Sequence, residues 1–129
     1  MPFDWQEFLN LAERLLADDT EAAYRSAISR AYYSVFNVAF ARAQENKCKF
    51  DTDLEAGIHK KCWVLYSKGP DQTCMQLGID GDRLRESRVR ADYKSGEYRR
   101  LSEDAKQAIA KAKLLRDKLN ALDKRYPLP

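Results

Sequence analysis

Apolar residues recur along this chain at intervals of three and four, the spacing of helices with one buried face. Trp5, Phe8, Leu9, Ala12, Leu15 and Leu16 form a first stripe and predict an amphipathic helix. Asp18-Asp19-Thr20 interrupts it, with Asp19 or Thr20 placed to cap the next helix. From Glu21 to about Asn46 there is no Pro or Gly. Tyr24, Ala27, Ile28, Ala31, Tyr32, Val35, Phe36, Ala39 and Phe40 there put apolar surface on more than one face, the mark of a central helix.

Lys47–Asp53 reads as a polar loop. A third helix is predicted from about Leu54 to Ser67, with Ile58, Cys62 and Leu65 on its stripe and Gly69-Pro70 as its stop. Residues 70–82 leave open a short helix broken near Gly78 or Gly81. A further helix is predicted over Asp82–Tyr93, then a turn at Lys94-Ser95-Gly96. Ser102, with Glu103 and Asp104 behind it, is placed to open the last helix. Its stripe runs through Ala105, Ala108, Ile109, Ala112, Leu115, Leu119 and Leu122 towards Tyr126-Pro127. No period-2 run of β-branched residues occurs. The expected fold is an all-α, up-and-down bundle of four to five helices in one domain, 1–129.

Composition narrows the class. The 129 residues are 44% hydrophobic and 33% charged, enough apolar side chains for one core. Five Gly and four Pro are too few for a collagen-like, linker-rich or many-turned β chain. No apolar run approaches the ~18 residues of a membrane span, and Met1-Pro2-Phe3-Asp4-Trp5 lacks the features of a signal peptide. The expectation is a cytoplasmic protein without a membrane partner. Cys48, Cys62 and Cys74 make an odd count and are expected to be reduced thiols. With no CxxC and a single histidine, neither a metal site nor a cofactor is expected.

The net charge of +3 is a sum of opposites. Residues 1–23 carry six acids against Arg14 alone, whereas residues 83–100 carry seven bases against three acids. A phosphate-bearing partner would meet the C-terminal third.

There is no glycine-rich phosphate loop, GxSxG or HExxH. Two clusters stand out instead. Arg25, Ser29 and Tyr33 share one face of the second helix, continued by Phe36 and Phe40. This polar stripe reads either as a binding surface or as a buried hydrogen-bond network whose arginine fixes helix register. The second cluster is Asp82–Tyr93, with four arginines at 83, 85, 88 and 90. Arg85, Arg88 and Asp92 share a face, where an Arg88–Asp92 ion pair can form. Such arginines suit phosphate oxygens, and equally suit a solvated helix with intrahelical salt bridges. His59 is the only side chain with an ordinary pKa near neutrality, and a lone helical histidine is more often structural than catalytic.

Three segments in order resemble the HEPN family, named for its occurrence in higher eukaryotes and prokaryotes. They are Arg25-Ser26-Ala27-Ile28-Ser29-Arg30-Ala31-Tyr32-Tyr33-Ser34-Val35-Phe36, then Gly57-Ile58-His59-Lys60, then Arg88-Val89-Arg90-Ala91-Asp92-Tyr93. The resemblance spans about Trp5 to Leu122. It implies a helical bundle and a two-fold homodimer whose later motif faces its copy across a cleft. Many such proteins are metal-independent ribonucleases, often toxins paired with a nucleotidyltransferase antitoxin. Their signature is Arg, four to six residues, then His.

In this chain Arg88 matches the arginine, but after four intervening residues, the last of them Asp92, stands Tyr93, and no histidine follows position 59. A phenol with pKa near 10 is only about 0.1% ionised at pH 7 and is a poor general base. The resemblance therefore implies a non-catalytic or weakly active dimer that binds RNA, a nucleotide or a partner protein such as a nucleotidyltransferase, in a toxin–antitoxin or defence setting. Arg25, Ser29, Tyr33, His59, Arg85 and Arg90 are its candidate binding residues. The alternative is a metal-independent ribonuclease using Arg88, Tyr93 and Asp92 at the dimer cleft. A plain structural bundle, with solubilising arginines, is the third reading.

Overall fold

Five helices organise residues 2–128, which the computed structural model describes, and no strand occurs among them. They are α1 (Gln6–Leu15, continued by a 3₁₀ turn at Leu16–Asp18), α2 (Glu21–Glu45), α3 (Ile58–Ser67), α4 (Gln72–Tyr93) and α5 (Leu101–Ala121). They pack as a helical bundle around α2, which touches all four of the others. That position follows from its sequence: Ala23, Ala27, Ile28, Ala31, Tyr32, Val35, Phe36, Ala39 and Ala43 are buried on several faces. Fully burying a residue such as Ile28 or Val35 contributes roughly 1.5–3 kcal/mol. The alanines let α1, α4 and α5 approach the α2 backbone.

Asp19 turns the chain through a left-handed conformation, φ 49°, and Thr20 caps α2 by accepting the Ala23 N–H at 3.1 Å. Of the two capping candidates, Thr20 therefore performs the role. Asp19 accepts the Tyr24 hydroxyl instead.

Three expected boundaries need correction. α3 begins at Ile58, not near Leu54, because Gly57 breaks the segment and serves as an extended N-cap. Ile58 consequently sits exposed on the first turn, and the buried stripe of α3 is Cys62, Trp63 and Tyr66. Residues 72–93 form one uninterrupted helix, capped by the Asp71 carboxylate accepting Cys74 N–H at 2.8 Å. Gly78 and Gly81 do not break it. A Cβ on Gly78 would lie 2.2 Å from Ser67 N and 2.5 Å from Trp63 O, and one on Gly81 would lie 2.2 Å from the Trp63 ring. Close approach to α3 outweighs the ~1 kcal/mol of helix propensity each glycine sacrifices. Finally, α5 starts at Leu101, with Arg100 as a left-handed N-cap at φ 61°, so Ser102 lies inside the helix. The Arg100 guanidinium clasps Glu103 at 2.6 and 2.8 Å.

Two arginines at opposite ends of α2 bind the C-termini of its neighbours. The Arg25 guanidinium donates to the Ala91 and Lys94 carbonyls at 2.9 and 2.7 Å, at the end of α4. Arg42 donates to the carbonyls of Leu122, Asp123 and Tyr126, just beyond α5. Helix C-termini present unpaired carbonyls and a partial negative charge, and both cations answer that need. Among the described residues, no helix is long and apolar enough to cross a membrane.

Candidate functional site

The α2 stripe meets the C-terminal half of α4 position by position. Arg25 grips the α4 carbonyls, Ser29 donates its hydroxyl to the Asp92 carboxylate at 3.1 Å, and Tyr33 lies against Arg88. Arg25 is thus engaged in joining helices, as the register reading of the stripe anticipates. Arg90 points elsewhere, its guanidinium 4.2 Å from the centre of the Tyr98 ring. Neither arginine belongs to the cluster around Arg88.

Arg88 is the unusual member. It projects from α4 into a frame of tyrosines, 5.3 Å from the Tyr32 ring centre, 5.5 Å from Tyr33 and 5.7 Å from Tyr93. Its side chain is only 7% exposed. Asp92 lies one turn on at 3.8 Å, close enough for charge attraction but too far for a hydrogen bond. Among the described residues, Arg88 Nε is the one buried side-chain polar atom without a hydrogen-bond partner. Cation–π attraction to three rings offsets part of the desolvation cost, yet a guanidinium has five N–H groups suited to oxygen acceptors. Buried polar groups are normally paired, so an unpaired one calls for an explanation.

His59 packs against the same two tyrosines, its ring 5.6 Å from Tyr32 and 5.8 Å from Tyr33. It stacks on Phe36 at 4.0 Å, on an aromatic ladder that continues through Phe40 to Phe50. Burial, then the nearby Arg88 and Arg85 charges, push its pKa down to about 4, so the ring is neutral at pH 7. Its Nδ1 is 2.8 Å from the Tyr32 hydroxyl, which also receives the Trp63 indole N–H at 3.0 Å.

Arg85 completes the edge. It donates to Asp82 at 2.7 Å, and Asp82 also accepts from Lys60 at 2.5 Å. Burial pushes the Asp82 carboxyl up, but the Lys60 and Arg85 hydrogen bonds outweigh it and hold the pKa below the usual carboxylate range. Tyr93 closes the last turn of α4 with most of its ring in solvent, 72% exposed.

The cluster therefore gathers Arg88, Tyr33, Tyr93, Asp92, Ser29 and His59, with Arg85 beside them. Tyr32 and Trp63 complete it, though the sequence marks them only as apolar positions or not at all. The available signal was chemical: a tyrosine or tryptophan inside a buried stretch needs a partner for its polar tip.

This arrangement offers a buried cation with free donors, an exposed aromatic ring and a neutral imidazole. It can bind an anion beside a flat ring. Comparison of the chain with protein-family models, curated proteins and solved structures finds no match, so the residues themselves carry the functional argument.

Proposed function

We propose that this chain is a HEPN-like RNA-binding module that holds a phosphate of single-stranded RNA at Arg88 without efficiently cleaving it. The observation that supports the reading is the shielded Arg88 guanidinium, framed by three tyrosines and lacking any hydrogen-bond partner for Nε. A phosphate oxygen is the acceptor that best matches an arginine fork. Tyr93, exposed at the rim, provides a face on which a neighbouring base stacks. The Asp92 carboxylate tempers the positive charge and favours reversible binding over permanent occupancy.

Cleavage would require a general base near the phosphate. His59 is neutral, but its Nδ1 is already occupied by Tyr32, which argues for binding over catalysis. The reading includes the two-fold homodimer implied by the family resemblance, in a reducing cytoplasmic setting that suits the free thiols of Cys48, Cys62 and Cys74.

The test is fluorescence anisotropy with a labelled short single-stranded RNA at two salt concentrations, for wild type and Arg88→Ala. Binding should weaken as salt rises and fall at least about tenfold in the variant. Equal affinity of the two proteins would sink the proposal. Incubation of RNA with wild type in EDTA checks the catalytic alternative, and intact RNA is expected. Light scattering at tens of micromolar should return the mass of a dimer.

A further inference from the structure

The hydrogen bonds around Tyr32 determine where the proton of His59 resides. Trp63 Nε1 can only donate, so the Tyr32 oxygen must accept from it across 3.0 Å. The Tyr32 hydroxyl then has its own proton to place. Tyr32 is fully buried, and His59 Nδ1, at 2.8 Å, is the acceptor within reach. If Nδ1 carried a proton instead, two donors would converge on one phenol oxygen and the phenol O–H would be buried without an acceptor. That arrangement leaves a buried donor unsatisfied, which folded proteins avoid. Nδ1 is therefore an acceptor, and in a neutral ring the proton must sit on Nε2.

The two ends of this relay differ in freedom. Trp63 is held by the close approach of Gly81, with no room for even a methyl group between them. Tyr32 stacks on Phe36 at 5.7 Å and lies beneath the Arg88 guanidinium. His59 stacks on Phe36 and is half-buried; its Nε2 has no hydrogen-bond partner in the chain and is not among the buried unpaired atoms. The relay therefore begins at a rigid indole in the core and ends at a half-buried imidazole that lies against the same two tyrosine rings as Arg88.

We propose that Tyr32 is a positioning residue that locks His59 as a neutral Nε2–H donor, giving the Arg88 site a second, uncharged contact to a bound phosphate group. The inference rests on the RNA-binding reading for its ligand, but the lock is a property of the free protein. The charged groups acting on His59 are Arg88 and Arg85 from α4; from α2 it meets Tyr32, Tyr33 and Phe36. A neutral donor adds direction to the site without adding to this positive charge. It also explains how the sole imidazole can sit beside the candidate site and yet be unavailable as a base.

Long-range proton–nitrogen NMR of the single histidine, at pH 7 and without RNA, reads the tautomer directly. The expected spectrum has the proton on Nε2 in wild type and a mixture of tautomers in Tyr32→Phe. RNA anisotropy supplies the second arm: His59→Leu should lose about threefold to tenfold in affinity, the worth of one neutral hydrogen bond. His59→Gln, which retains an N–H donor, should recover most of that loss. A wild-type ring protonated on Nδ1 overturns the lock. Wild-type affinity in His59→Leu overturns the donor role. If Arg88→Ala leaves RNA affinity unchanged, the RNA reading fails and the ligand contact with it, while the tautomer spectrum still decides the lock separately.

Discussion

Arg88 and His59 lie against the same two rings, Tyr32 and Tyr33, yet only His59 has a hydrogen bond to either of them. One cation and one imidazole, 29 positions apart in sequence, thus share an aromatic wall. Arg88 lies on it without a hydrogen bond, whereas His59 is tied to it through a phenol. Stability and function should separate along that division.

Replacing Arg88 by Met tests this separation. The change removes a buried charge with an unpaired donor and keeps a side chain of similar length, an exchange that is often neutral or stabilising in a protein interior. Asp92 retains its contact with Ser29 and access to water, so no new buried charge is created. Thermal unfolding should show the variant within about 1 kcal/mol of wild type, or more stable, while RNA affinity collapses. A loss beyond about 2 kcal/mol would mark Arg88 as a structural residue.

Arg25 should behave in the opposite way. Its guanidinium satisfies the Ala91 and Lys94 carbonyls and links α2 to the end of α4. Arg25→Leu should cost about 2 kcal/mol in urea unfolding, the range expected for charge-assisted hydrogen bonds to a helix C-terminus. RNA affinity, measured at a temperature where the variant remains folded, should change by less than about threefold.

Gly78→Ala places a methyl group against the Ser67 and Trp63 backbone, at separations no side-chain adjustment can relieve. α3 would have to move away from α4. The expected cost is about 1–3 kcal/mol or more by denaturant unfolding, although alanine is intrinsically the better helix former by ~1 kcal/mol. A stabilised variant would show that α3 and α4 do not meet at the 2.2–2.7 Å that a Gly78 Cβ would encounter.

The pH dependence of stability has a window belonging to His59. Its folded pKa, about 4, lies below the ordinary value of 6.5, so between these values the unfolded chain binds the proton more readily. Stability is fully present above about pH 6.5 and declines as pH falls towards 4. The depressed carboxyls, including Asp123 at about 2, give up their contributions at lower pH. Urea unfolding at pH 7 and pH 5 should therefore show a decrease in wild type that shrinks in His59→Gln.

Much of the bundle was legible because helical periodicity is a local property. The stripe from Trp5 to Leu16 and the multi-faced apolar pattern of Tyr24–Phe40 do not depend on what packs against them. The same local reasoning misjudged Gly78 and Gly81, whose low helix propensity signals a break until Trp63 and Ser67 occupy the space that side chains would fill. It also left open whether the Arg25–Ser29–Tyr33 stripe binds a ligand or another helix.

By itself the sequence determined the helical class, the central place of the second helix and the grouping of Arg85, Arg88 and Asp92 on one face. Spacing along one helix is enough to decide such matters. Tertiary structure decided what each arginine does. Arg25 and Arg42 reach helix-end carbonyls far away in sequence, while Arg88 finds three tyrosine rings and no partner for Nε. It also decided the state of His59, because the position of one proton follows from a chain of donors linking Trp63, Tyr32 and the imidazole across two helices. Hydrogen-bond accounting is settled only where groups meet in space, and no local pattern in this sequence brings those three together.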